Sequence, residues 1–263
     1  MTIIAICATK QPETILAFSD SRVSDNRPLL DSVAKLLPVP IQVFNNDLKV
    51  VATSAFGFAF AGSTLVAQAV YCFAIASLQS IRAAGKNTTP ALFEIAEYIR
   101  EITYRIGMEM GQRGVKTNRI STSIFLFGFC PIQDCRKTFT IETSVVNDRF
   151  DVTAVECDVR QSGKIHLGGD STAKSMFWEE YHQLDKPEVS QALLNLIESP
   201  VLSTVGGDLQ AFRADRSGAL ALPTLRMTDL NRAKCTLLNQ SVDELKVGDF
   251  NFRHTALAVG AGF

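Results

Sequence analysis

Short apolar runs bounded by turn residues dominate the first sixty positions, and their spacing is that of strands rather than helices. TIIAICA (2–8) and TILAFSD (14–20) flank Gln11-Pro12-Glu13 and predict one hairpin. LKVVATS (48–54) and FGFAFAG (56–62), parted by small residues, predict a second. At AGST the period changes from two to that of a helix, which is expected from about Ser63 to Ala84 with Gly85 as its C-terminal cap. Thr89-Pro90 offers an N-cap and a first-turn proline for a second helix along ALFEIAEYIREITYRIGMEM.

Beyond Gly111 and Gly114 the strand pattern returns in STSIFLFGF, TFTIETSVV and FDVTAVECDV. KIHLGGDSTAKSMFWEEYHQL reads as strand, glycine turn and helix, KPEVSQALLNLIES as a fourth helix, and GDLQAFRAD as a strand. Strands, two helices, strands, two helices and a strand argue for a layered α+β architecture rather than alternating βαβ units. The text from Gly218 to Phe263 is irregular and reads as an extension that packs on the domain or on a neighbouring subunit. The division expected is therefore 1–217 for the domain and 218–263 for the extension.

Composition adds little that is positive and excludes a good deal. The chain of 263 residues is 46% apolar, enough for a sizeable core, and its 26 Lys and Arg balance 27 Asp and Glu. That balance leaves no electrostatic footprint for nucleic acid or an anionic membrane. No charged residue lies between Lys49 and Arg82, but Gly57, Gly62, Ser63, Thr64, Gln68, Ser77 and Gln79 punctuate the stretch, so strand, turn and buried helix is preferred to a membrane span. Six cysteines without a secretory leader indicate reduced, mostly buried thiols and a cytoplasmic protein. Cys130 and Cys135 have no second ligand pair at metal spacing and read as the ends of a hairpin, so neither metal nor cofactor is expected. His166 reads as a core histidine, and Trp178 and Phe125, Phe127 and Phe129 as core aromatics.

No G-x-S-x-G elbow appears, the three histidines mark no triad, and GGDS lacks the spacing of a phosphate-binding loop. Thr2 is a different kind of candidate. A threonine freed at the N-terminus by removal of Met1 carries its own general base, because an α-amine titrates near about 7.7–8.0. Such a site needs a cation beside the hydroxyl and a carboxylate to hold that cation. Asp20, in FSDSR, and Lys35, in SVAKLL, supply both. Taken alone, Lys35 would read as an exposed lysine beside a proline-bounded strand, and Asp20-Ser21-Arg22 as a solvated turn.

The stretches TIIAI, LAFSDSRVS, the lysine of SVAKLL, FAFAGSTLVAQA, STSIFLFGF and IHLGGDSTAK resemble, in order and rough spacing, a proteasome β-type subunit of the N-terminal-nucleophile hydrolases, including its bacterial relatives. The resemblance covers about residues 2 to 213. It implies a four-layer αββα sandwich, Thr2 as nucleophile, Lys35 tuning its pKa, Asp20 holding Lys35, and the turn at Gly62 presenting an oxyanion donor. Two departures stand out. Gly169 occupies the place of the family's serine, with Asp170 or Ser171 as stand-ins, and Leu202 and Val205 occupy the places of an aspartate and a serine.

The implied protein is a threonine peptidase in a homo-oligomeric ring, acting on peptides or unfolded proteins, with an ATP-dependent unfoldase as a further partner. The alternatives are a catalytically inactive subunit of the same fold with an assembly role, and an amidase acting on a small molecule.

Overall fold

The computed structural model describes residues 2–24, 27–83, 89–146, 149–159, 161, 163–227, 233–237, 240–241, 246–247, 250–251 and 257–258. It is a mixed α/β fold, with two principal sheets and, among the described residues, four α-helices.

β1 (Ile3–Ala8) and β2 (Ile15–Asp20) form the expected first hairpin, with Ile4 opposite Ser19 and Ala8 opposite Ile15. A small ribbon follows, β3 (Val23–Ser24) against β4 (Pro28–Leu30). The second hairpin differs from expectation. β6 runs unbroken from Val50 to Gly62, merging the two predicted strands, and its partner is β5 (Leu36–Phe44). Ser54 and Ala55 are small, but each retains its ladder partner, Ile41 and Pro40, so the small residues do not break the strand.

The first helix, α1 (Thr64–Leu78), stops six residues short of Ala84, because the chain turns at Gln79 and Ile81–Arg82 enter the sheet as β7 alongside β5. Ala84 and the expected cap Gly85 lie outside the described residues. Ser63 caps α1, its side chain accepting from the Val66 N–H. α2 (Leu92–Gln112) begins later than Thr89-Pro90 predicted. Its N-cap is Ala91, and the Glu94 carboxylate accepts the Ala91 N–H at 2.7 Å in place of a side-chain cap.

β8 (Thr122–Cys130) and β9 (Cys135–Val146) close at Cys130 opposite Cys135, and β10 (Arg149–Cys157) pairs with β9. β11 (Ile165–Gly169), α3 (Ser171–Gln183), α4 (Val189–Glu198) and β12 (Leu209–Asp215) follow as read from sequence. β13 (Gly218–Leu222) falls in the segment expected to be irregular, yet it pairs with β12 from Asp215–Gly218 to Ala211–Leu222. β14 (Thr224–Met227) and β15 (Ala233–Leu237) form a separate sheet, and the Thr224 hydroxyl lies 3.5 Å from the Leu209 carbonyl and 3.2 Å from the Thr236 hydroxyl.

The five-stranded sheet has the order β11-β1-β2-β12-β13, and the six-stranded sheet β10-β9-β8-β6-β5-β7. β1 is buried on both sides, which is why its sequence is a continuous apolar run rather than an alternation. Ile3 and Ala5 pack with Ala173, Phe177, Leu193 and Leu196 of α3 and α4. Ile4 and Ile6 pack with Ala59, Ala61, Phe125 and Phe127 of the other sheet. On the six-stranded sheet, α1 and α2 bury Val66, Val70, Leu92, Ile95, Ile99 and Ile102 against Phe56, Phe58, Ile124 and Leu126. The three-and-four spacing of the α2 residues is the periodicity that predicted this helix.

Two expectations about buried side chains are corrected. Trp178 is 37% exposed on the outer side of α3, stacked on His182, while Phe177 takes the core position. Of the six cysteines only Cys130 is fully buried, and Cys72 is exposed on α1. None of the described helices is long and apolar enough to cross a membrane, and no described group of three or more His, Cys, Asp or Glu is placed to hold a metal ion.

Candidate active site

Three residues singled out in the sequence meet at one point. Thr2 precedes β1, Asp20 ends β2, and Lys35 precedes β5; the antiparallel hairpin and the crossing of the chain into the second sheet bring them together. The Lys35 ammonium donates to the Thr2 hydroxyl (Nζ to Oγ1, 2.7 Å) and to the Asp20 carboxylate (Nζ to Oδ1, 3.0 Å). Lys35 is 1% exposed and Asp20 is fully buried, so this ion pair is out of water. Thr2 is buried as well.

The carboxylate is held on both oxygens. Oδ1 also accepts the Ile3 N–H at 3.2 Å, and Oδ2 accepts the N–H groups of Arg22 and Gly206, each at 3.3 Å. Burial pushes the Asp20 carboxyl above its ordinary range, against the pull of Lys35 and of the Ile3 and Gly206 amides. Burial likewise holds the Lys35 ammonium below its ordinary value, with the Asp20 charge opposing. A lysine so placed sits nearer its neutral form than a surface lysine, and it offers a proton or a charge to the Thr2 oxygen at little cost in rearrangement.

Gly169 approaches the same point from β11. It pairs with Ile3, has φ +100°, and a Cβ built on it would lie 1.9 Å from the Thr2 carbonyl oxygen. The next residue, Asp170, donates its backbone N–H to that oxygen at 3.0 Å and caps α3 by accepting from the Ala173 N–H. Ser171 is exposed at the first turn of α3, so the hydroxyl expected as a stand-in is not brought to Thr2. Gly169→Ala is expected to cost about 1–3 kcal/mol through its backbone conformation alone, and more through displacement of Thr2. Urea unfolding measures this; wild-type stability in the variant would contradict the contact.

Gly62 closes β6 with φ +95°, and a Cβ there would meet the Ser121 carbonyl oxygen at 2.6 Å. The register Leu36 opposite Ala59 places this end of β6 at the same end of the sheet as Lys35. Leu202 and Val205 are both buried in the apolar cluster beneath α3 and α4, so they bring no polar atom to the threonine.

Sequence reading missed the frame around the triad. Arg22 grips Asp31 with two nitrogens, at 2.6 and 3.2 Å, and donates to the carbonyls of Ser203 and Val205. This pairing holds the Asp31 carboxyl below its usual range. Ser21 donates to the Asp31 carbonyl and accepts the Asp208 N–H at 2.7 Å. Gln210, on β12, accepts the N–H groups of Lys35 and Leu36 and donates to the Val33 carbonyl, so it bonds to the backbone on both sides of Lys35. Ser21 and Arg22 lie in the SDSR stretch that also carries Asp20. The signal for Gln210 was fainter, a lone amide in the apolar run LQAF.

His166 lies on the edge strand β11, its Nε2 3.0 Å from the Thr140 hydroxyl and 3.6 Å from the Cys157 sulfur, with its ring edge-on to Phe125. Burial holds its pKa below the ordinary value; Glu142 pulls upward and Lys174 pushes down. Because the folded value is the lower one, the unfolded chain binds the proton more readily below about 6.5. Its contribution is therefore present above that pH and is lost as pH falls through the folded value. Urea unfolding of wild type should weaken across this acid window, and His166→Gln should flatten the slope; parallel curves would count against it.

No protein-family model matches the chain, and no curated protein matches it. Among solved structures, Anbu (ancestral beta-subunit) from Yersinia bercovieri is similar with a TM-score of 0.53 and 13% identity, over 84% of this chain and 87% of that one. That likeness shows a shared mixed α/β fold.

Proposed function

We propose that this protein is a proteasome-like threonine peptidase whose nucleophile is Thr2, freed by removal of Met1. The observation that carries the reading is the buried Lys35 bonded at once to the Thr2 hydroxyl and to Asp20. In this reading the free α-amine takes the hydroxyl proton and Oγ1 attacks the carbonyl carbon of a peptide amide. Lys35 stabilises the developing negative charge on the threonine oxygen, and the Gly62 N–H receives the oxyanion of the tetrahedral intermediate. The C–N bond breaks as the ammonium returns its proton to the leaving amine. Water, deprotonated by the same amine, then hydrolyses the ester and restores Thr2.

The three apolar clusters support a four-layer αββα order, with helices outside each sheet and the Ile4–Phe127 cluster between the sheets. The description of the similar structure as a β-subunit supports assembly of several copies. A homo-oligomeric ring acting on peptides or unfolded protein in the cytoplasm, served by an ATP-dependent unfoldase, completes the proposal.

One observation favours an inactive subunit instead: apolar Leu202 and Val205 stand where the resemblance calls for polar groups. The two readings separate on one experiment. Intact mass of the purified assembly should show loss of Met1, and incubation with a peptide boronate should give a stoichiometric adduct on Thr2. Retained Met1 and no adduct would overturn the peptidase.

A further inference from the structure

Lys35 reaches Thr2 and Asp20 from a segment, 31–35, that belongs to neither strand of the hairpin bearing them. Something must fix that segment, because a lysine Nζ at 2.7 Å from a nucleophile leaves little tolerance for drift of its own backbone. Arg22 and Ser21 hold its Asp31 end and the Ser21 carbonyl accepts the Val33 N–H, but the backbone at Lys35 itself is held by a side chain 175 positions away in sequence.

We infer that Gln210 is a positioning residue for the reaction, setting the Lys35 ammonium against Thr2 and Asp20 by holding the backbone on both sides of Lys35. Gln210 is 4% exposed and sits on β12 opposite Ser19, one step from the Leu209–Asp20 pair. Its Oε1 accepts the N–H of Lys35 at 2.9 Å and lies 3.4 Å from that of Leu36. Its Nε2 donates to the Val33 carbonyl at 2.5 Å and lies 3.5 Å from the Asp20 carbonyl. One amide thus ties the segment carrying the cation to the strand carrying its carboxylate. The two ends of the amide are not interchangeable: an acceptor must face the amides of 35 and 36, and a donor must face the two carbonyls. Glutamine is the side chain of this length that presents both.

This inference rests on the peptidase reading. Gln210→Met keeps the length and loses both ends of the bridge. Gln210→Glu keeps the acceptors, loses the donor and adds a negative charge beside Lys35, whose other charged neighbours are Asp20, Arg22 and Asp31. Each variant is purified as the full chain, its sites are counted by peptide boronate titration, and rates on a fluorogenic peptide are expressed per titrated site across a pH series.

A displacement of Lys35 by about 1 Å costs on the order of 10²-fold, so Gln210→Met should lose roughly that factor in kcat with KM little changed. Gln210→Glu should move the limb of the pH profile that reports Lys35 to higher pH. Unchanged per-site kcat and an unchanged pH profile in both variants would overturn the inference, even if both are less stable. Failure of both to yield folded protein would also count against it, by assigning Gln210 to folding. Absence of a boronate adduct in wild type overturns the peptidase reading itself, which keeps the two failures apart.

Discussion

On the proposed peptidase reading, Thr2→Ala is expected to abolish hydrolysis of peptide amides, by on the order of 10⁴-fold or more, since loss of a nucleophile removes the covalent route altogether. The fold should survive. Thr2 contributes its main-chain carbonyl to the Asp170 bond, and alanine retains it. The hydroxyl takes one hydrogen bond, from Lys35, and that lysine keeps its ion pair with Asp20 in the variant. The measurement is initial velocity on a fluorogenic peptide with matched circular dichroism. Wild-type velocity in a folded Thr2→Ala protein would remove Thr2 from the reaction, whatever its geometry.

The second large effect is on stability and activity together. Lys35→Met leaves the fully buried Asp20 carboxylate with its amide donors but without its cation, and breaking a buried ion pair from one side costs about 3–5 kcal/mol. Peptidase activity should fall with it, because the charge beside the Thr2 oxygen is gone. Pairing it with Asp20→Asn should recover much of the stability, since a neutral pair carries no uncompensated charge, but none of the activity.

The pH dependence of Lys35→Met distinguishes this account from simple loss of packing. With Lys35 absent, burial raises the folded pKa of Asp20 above the unfolded carboxylate value of about 3.9. A raised folded value contributes stability that is whole below the unfolded pKa and disappears as pH rises through the folded one. Urea midpoints of Lys35→Met should therefore fall from acid toward neutral pH, more steeply than those of wild type. A constant gap between the two proteins at every pH would point to lost packing instead.

Thr2, Asp20 and Lys35 stand out in the sequence only as a set. Alone, Lys35 reads as an exposed lysine and Asp20-Ser21-Arg22 as a solvated turn, and it is the need of a threonine behind Met1 for a cation and a carboxylate that picks them out. Gly169 stands out as a glycine where the resemblance calls for a serine. The strands were legible wherever both faces are apolar, as in β1 and β8. What escaped was set by pairing at long range. Ser54 and Ala55 look like a break until β5 is known to run alongside them. Gly218–Leu222 looks irregular until β12 offers an edge. Gln210 acts on the site through main-chain atoms, and a main-chain partner leaves no mark in the sequence of the segment it binds, while the Arg22–Asp31 ion pair joins side chains nine positions apart.

The four groups that hold the Asp20 carboxylate come from 3, 22, 35 and 206. Three of them leave the ribosome early, and the fourth follows more than 170 residues later. Until the 203–210 segment docks, Asp20 lacks one of its anchors and the Lys35 segment lacks the Gln210 amide. On the proposed peptidase reading, a growing or half-folded chain would hold its threonine in an unfinished setting, and the site would be complete only when nearly the whole domain is.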